Sequence, residues 1–135
     1  DKASMYSVKD LYYGIYKQCG VPIVFDYHHH RFCDGGMSEK EALEMAISTW
    51  PKGITPVVHY SESRSTEQLD ESIRPQAHSD YVYDYINSYG NDIDVMIEAK
   101  HKELAVKKYK ELHIDSKGIY IGLKRTQSDR TMNFV

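Results

Sequence analysis

Cysteine is scarce in this 135-residue sequence: Cys19 and Cys33 are the only two, and they do not form a CxxC pair. That argues against a thiolate metal site or a disulfide framework and leaves two reduced thiols. Long apolar runs are missing, and the start, Asp1-Lys2-Ala3-Ser4, has none of the features of a signal peptide. No membrane partner is therefore expected, and an intracellular location is. The chain begins without a methionine, as expected of a fragment or a processed product. Excess positive charge is lacking too: the formal net charge is -3 and the pI about 6.2. Charge alone would not hold such a chain on DNA, although cations bound by carboxylates supply positive charge locally. What is present, 41% hydrophobic and 27% charged residues, is the balance of one folded domain spanning residues 1–135.

Along the chain, helical and strand patterns alternate. Ser7 caps a predicted helix with Val8, Leu11, Tyr12 and Ile15 on one face, ended by Cys19-Gly20. Val21 to Phe25 is an almost continuous apolar run, as in a strand buried on both faces of a parallel sheet. After the turn Asp34-Gly35-Gly36, Ser38 and Glu41 form a capping box for a helix that buries Leu43, Ala46, Ile47 and Trp50. Ile54 to Val58 reads as a second strand, Ser61 to Gln76 as a long loop, and Ser79 to Tyr89 as a helix ended by Gly90. Asp92 to Ile97 is a third strand, followed by a helix from Ala99 to Leu112. Residues 113–135 read as a tail or a last strand, with Ile119 to Leu123 the apolar candidate. This alternation predicts an α/β fold with a parallel sheet, doubly wound or closed into a barrel.

Each predicted strand runs into residues of the kind that bind metals: Asp26-Tyr27-His28-His29-His30 after the first, His59 after the second, Glu98 after the third. The C-terminal ends of parallel strands converge on one face, where barrel enzymes place their sites. Imidazole and carboxylate together suit divalent zinc or manganese. Taken singly, each has a plainer reading: a surface histidine patch, a hydrogen-bonded core histidine, and a carboxylate favoured at a helix N-terminus. His101 and His113 fall on the predicted solvent face of the last helix.

At these positions the sequence resembles the UV-damage endonuclease family. The resemblance is carried by Pro22 to His30, Ser38 to Trp50, Pro56 to Arg64, His78-Ser79-Asp80-Tyr81 and Asp94 to Lys100, in that order. It implies roughly the C-terminal half of a TIM-type (β/α)8 barrel, related to endonuclease IV. It also implies a cluster of divalent metals, manganese favoured, and cleavage of double-stranded DNA 5′ to pyrimidine photoproducts. Carried over, the catalytic metal ligands are Asp26, His29, His59, His78 and Glu98. The family's Asp-x-x-His spacing favours His29, whereas strand alternation favours His28. Ser61, Ser63, Arg64 and Lys100 become contacts to DNA phosphates, or, for the first three, members of a plain surface loop. Val57 departs from members that place a lysine there.

Family members are longer and have upstream strands with further ligands. Asp1-Lys2 resembles the end of a block whose glutamate ligand would precede this chain. An incomplete barrel exposes strand edges, so the N-terminal half or a second copy is an expected partner, and the chain by itself is expected to be inactive. The competing readings are another metalloenzyme on the same scaffold, an apurinic-site endonuclease or a sugar isomerase, and a non-catalytic fragment that binds a partner through some of its 12 tyrosines.

Overall fold

The computed structural model describes residues 5–113 and the backbone of Asn133–Phe134. It is an α/β protein with a parallel sheet in the order β1-β2-β3-β4, formed by Phe25–Asp26, Val57–Tyr60, Asp94–Ile97 and Asn133–Phe134. Among the described residues, six α-helices accompany it: α1 Val8–Leu11, α2 Lys17–Cys19, α3 Tyr27–Phe32, α4 Glu39–Ile47, α5 Arg64–Gln68 and α6 Glu103–Leu112. The predicted strand at Ile119 to Leu123 lies outside the described residues.

Each strand joins the sheet beside its predecessor, without reversal. Right-handed crossovers that always advance in one direction leave the connecting helices on the same side. The core lies on that side: Phe25, Val58, Tyr60 and Val95 of the sheet are buried with Val8, Leu43, Ala46 and Tyr109. The larger aliphatic and phenylalanine side chains among them each stabilise the fold by about 1.5–3 kcal/mol when fully buried. Alternation puts Asp26, Val57, His59, Asp94 and Met96 on the opposite face, where they remain half-buried or exposed.

The first helical stretch begins with a full capping box, Ser7 paired with Asp10, and passes through a π-helical segment, Tyr12–Tyr16, before Gly20 ends it at φ 73°. Gly35, at φ 62°, lies so close to the Ser7 cap that a Cβ there would stand 2.6 Å from the Ser7 hydroxyl. Ser38 and Glu41 form the capping box of α4 as expected.

Several expected elements differ. The first strand shrinks to two residues, and the backbone of Ile23 before it is bound by residues that follow α4. Thr49 Oγ1 accepts the Ile23 N–H at 2.8 Å, and Trp50 Nε1–H donates to the Ile23 carbonyl at 2.8 Å. The second strand starts at Val57 rather than Ile54 and includes His59. Helix α5 interrupts the expected loop. The helix expected over Ser79 to Tyr89 is absent, and the segment is irregular. Its amides are taken by side chains instead: Glu67 accepts from Asp80 and Tyr81, Glu62 from Tyr83 and Asp84, and Tyr109 Oη from Ile86. The last helix starts at Glu103 rather than Ala99, after a turn in which Lys102 holds φ 51° and ψ -121°.

Candidate metal centre

Three strand ends bring Asp26, His59 and Glu98 together. One ligand atom from each lies within 4.8 Å of the others, and all three residues are half-buried. The register explains this. Asp26 pairs with His59 across β1 and β2, and Glu98 follows β3, its N–H donating to the Tyr60 carbonyl at 2.8 Å. His59 Nδ1 is 2.8 Å from Glu98 Oε1, with the side chains 30% and 31% exposed. A site this open admits a ligand but still limits water around the carboxylates. Two carboxylates and an imidazole converging at one point form a donor set suited to a divalent cation of the zinc or manganese kind.

His78 stands at the rim: its Nε2 is 3.6 Å from Glu98 Oε2. It is presented by an isolated antiparallel bridge to Ser63, outside regular structure. Its ring centroid is 5.8 Å from that of His28.

The three histidines after β1 leave the strand and take other partners, because Asp26 ends the strand by capping α3. Its Oδ1 accepts the N–H groups of His28 and His29, both at 2.9 Å. His28 is buried, its Nε2 3.2 Å from the Gln76 carbonyl, and its Nδ1 has no protein partner. Burial, with His78 and Arg31 nearby, pulls the His28 pKa below the usual histidine value despite the Gln76 contact and Asp26. His29 Nε2 meets the Tyr6 carbonyl at 2.8 Å, beside Cys33 and Val24. His30 is buried against Phe25.

Among the residues expected at phosphates, Lys100 is exposed, and its N–H donates to the Ser79 carbonyl at 2.9 Å. Arg64 forms a 2.9 Å ion pair with Asp80. The Ser61 and Ser63 hydroxyls are buried without a partner. His101, expected to be a bare surface residue, is exposed but stacks on Tyr81 at 4.6 Å and lies 3.9 Å from Asp80. His113 packs on Tyr109, with its Nε2 3.1 Å from the Tyr83 carbonyl.

Sequence reasoning missed Glu62 and Glu67. Glu62, only 8% exposed, also accepts from Tyr60 Oη at 2.7 Å. Burial works to raise the Glu67 pKa, but the amides of Asp80 and Tyr81, with Gln68 and Tyr83 Oη–H, hold it below the usual glutamate value. In the sequence both glutamates sit in a stretch without apolar period, and nothing there marks a carboxylate as an acceptor of distant backbone amides.

The fold and site together define a class: a parallel α/β protein whose strand ends bring two carboxylates and an imidazole to one candidate metal site. Comparison with known proteins narrows it. The family model described as UV-endonuclease UvdE matches residues 1–120, and the chain belongs to that family. It is 37% identical over 107 residues to the UV-damage endonuclease of Schizosaccharomyces pombe, covering 75% of this chain and 17% of that protein. It is 32% identical over 116 residues to the UV DNA damage endonuclease of Bacillus cereus strain G9842, covering 78% of this chain and 33% of the other. The crystal structure of SacUVDE superimposes with a TM-score of 0.61 at 26% identity, over 77% of this chain and 34% of that one. The chain thus spans about a third or less of the length of these curated relatives. No described helix is long and apolar enough to cross a membrane.

Proposed function

We propose that this chain is part of a metal-dependent endonuclease that cleaves DNA 5′ to UV-induced pyrimidine photoproducts. The observation that carries the proposal is the convergence of Asp26, His59 and Glu98 in a chain of the UV-endonuclease family. The sequential strand order and the one-sided placement of the core support a segment of a (β/α)8 barrel, in which strand ends share one mouth. Asp26, His59 and Glu98 would hold a divalent ion, manganese favoured, with His78 beside Glu98 as a further ligand. Family spacing would add His29, which here meets the Tyr6 carbonyl at 2.8 Å and would join the set only by leaving that contact; His28 is the second choice.

Bound there, a divalent ion supplies Lewis-acid stabilisation to a phosphodiester oxygen. The chain's own residues set the frame. Asp26 is fixed by two amides on Oδ1, and one of its carboxylate oxygens lies in the cluster with His59 and Glu98. Glu98 engages His59 through one oxygen at 2.8 Å, which orients that imidazole, and faces His78 with the other at 3.6 Å. Lys100, exposed two residues beyond Glu98, supplies positive charge for the DNA backbone; Arg64 would do so only by leaving its ion pair with Asp80. Ser61 and Ser63 would reach a phosphate only after their hydroxyls rotate out of burial.

The assay is manganese-dependent nicking of UV-irradiated, untreated and abasic supercoiled plasmid. It uses this chain alone and the chain extended at its N-terminus with the corresponding region of the Schizosaccharomyces pombe relative, each beside a Glu98→Gln control. The proposal expects nicking by the extended protein that requires irradiation and is lost in the control, with little from the chain alone. Equal nicking of irradiated and untreated plasmid, or a preference for abasic DNA, would refute it.

A further inference from the structure

We infer that Glu67, supported by Arg64, is a positioning residue that fixes His78 against Glu98, an inference that rests on the metal-centre reading above. Among the described residues, 69–93 contain no helix or strand beyond the single bridge at His78. Regular structure therefore does not place that imidazole. What places it is a set of backbone contacts made from α5 and the residues just before it. On one side, the Arg64 N–H donates to the Ala77 carbonyl at 2.8 Å, and the Ser79 N–H donates to the Glu62 carbonyl at 2.9 Å. On the other, the Glu67 carboxylate accepts the Asp80 N–H at 2.8 Å, the Tyr81 N–H at 2.9 Å and Tyr83 Oη–H at 2.9 Å. Arg64 then grips the Asp80 side chain at 2.9 Å.

The same segment also reaches the strand end that carries Glu98. Lys100 and His101 donate their N–H groups to the Ser79 and Asp80 carbonyls, at 2.9 and 3.1 Å. His78 and Glu98 are thus spaced through one hydrogen-bonded frame, and Glu67 is the charged group at its centre. Both of its oxygens are committed, Oε1 to Asp80 and Oε2 to Tyr81 and Tyr83. Glutamine has only one acceptor oxygen and presents a donor where the other stood, so Glu67→Gln must release either Asp80 or Tyr81. Outer groups that orient metal ligands are commonly worth 10–100-fold in affinity.

The test is manganese binding to the intact chain, read from loss of the free-ion electron paramagnetic resonance signal. Wild type, Glu67→Gln, His78→Ala and the double variant are compared. Glu67→Gln is expected to weaken binding about tenfold, and to add almost nothing once His78 is alanine. Arg64→Gln is expected to act in the same direction by a smaller factor, and it carries the test by itself should circular dichroism show Glu67→Gln unfolded. Unchanged affinity in Glu67→Gln overturns the inference while leaving the metal centre standing. An equal loss with and without His78 also overturns it, since Glu67 would then act by another route. Failure of the wild-type chain to bind manganese or zinc overturns the metal-centre reading itself, and this inference with it.

Discussion

Asp26 has two duties that substitution can separate. Its Oδ1 caps α3 by accepting two amides at 2.9 Å, and one of its carboxylate oxygens belongs to the three-atom cluster with His59 and Glu98. Asparagine keeps a carbonyl oxygen in the capping position and caps about as well as aspartate, whereas alanine at an N-cap costs roughly 0.5–2 kcal/mol. Both variants remove the charge. Two carboxylates whose oxygens lie within 4.8 Å repel by about 1–3.5 kcal/mol over the range from bulk water to a surface-like dielectric. Glu98 is 31% exposed, so solvent brings the value toward the lower end. In metal-free buffer with chelator, urea unfolding should therefore find Asp26→Asn as stable as wild type or slightly more so. Asp26→Ala should be about 1 kcal/mol less stable than Asp26→Asn. Both should bind manganese at least about tenfold more weakly than wild type, since even outer partners of metal sites are worth that much. Equal stability of the two variants would remove the capping argument. Wild-type manganese affinity in Asp26→Asn would remove Asp26 from the donor set.

Three further outcomes follow from the same geometry. Tyr109→Phe leaves the buried Ile86 N–H without the hydroxyl it meets at 3.1 Å, so chemical denaturation should show a loss of about 1–3 kcal/mol. Lys102→Gly relieves a residue held at φ 51° and ψ -121°; strain of about 1–3 kcal/mol at such angles, less the backbone entropy of glycine, gives a net gain of about 1 kcal/mol in a thermal melt. Because the folded pKa of Glu67 lies below its ordinary 4.5, its contribution to stability is complete above that pH and is lost as pH falls through the depressed value. The stability gap between wild type and Glu67→Gln should accordingly be constant from neutral pH down to about 5 and close below 4.5; a gap independent of pH down to acid unfolding would contradict this.

The parts of the molecule legible in the sequence were those set by local chemistry. Ser38 and Glu41 announce the start of α4 because both halves of a capping box are present, and Gly20 announces a helix end because it adopts φ 73°. The convergence of Asp26, His59 and Glu98 was legible because apolar strand runs are recognisable and parallel strands align their ends. The errors came where a side chain distant in sequence takes over a backbone group. The spacing of Tyr81, Val82, Tyr85, Ile86 and Tyr89 imitates a helix face, but Glu62, Glu67 and Tyr109 had already claimed the amides such a helix would need. Thr49 and Trp50 take the Ile23 backbone before β1 in the same way. At the histidine triplet, two local rules compete. Alternation assumes that the strand continues, whereas Asp26 ends it by capping a helix, so His28 and His29 leave the strand plane and turn to the Gln76 and Tyr6 carbonyls.

The central claim is that Asp26, His59 and Glu98 share a metal ion. The most direct measurement is a crystal of this chain grown with manganese, with anomalous differences collected at the manganese absorption edge. The account predicts a peak bridging oxygens of Asp26 and Glu98 and a ring nitrogen of His59. A map with no peak there, or with the manganese held by other residues, would contradict it.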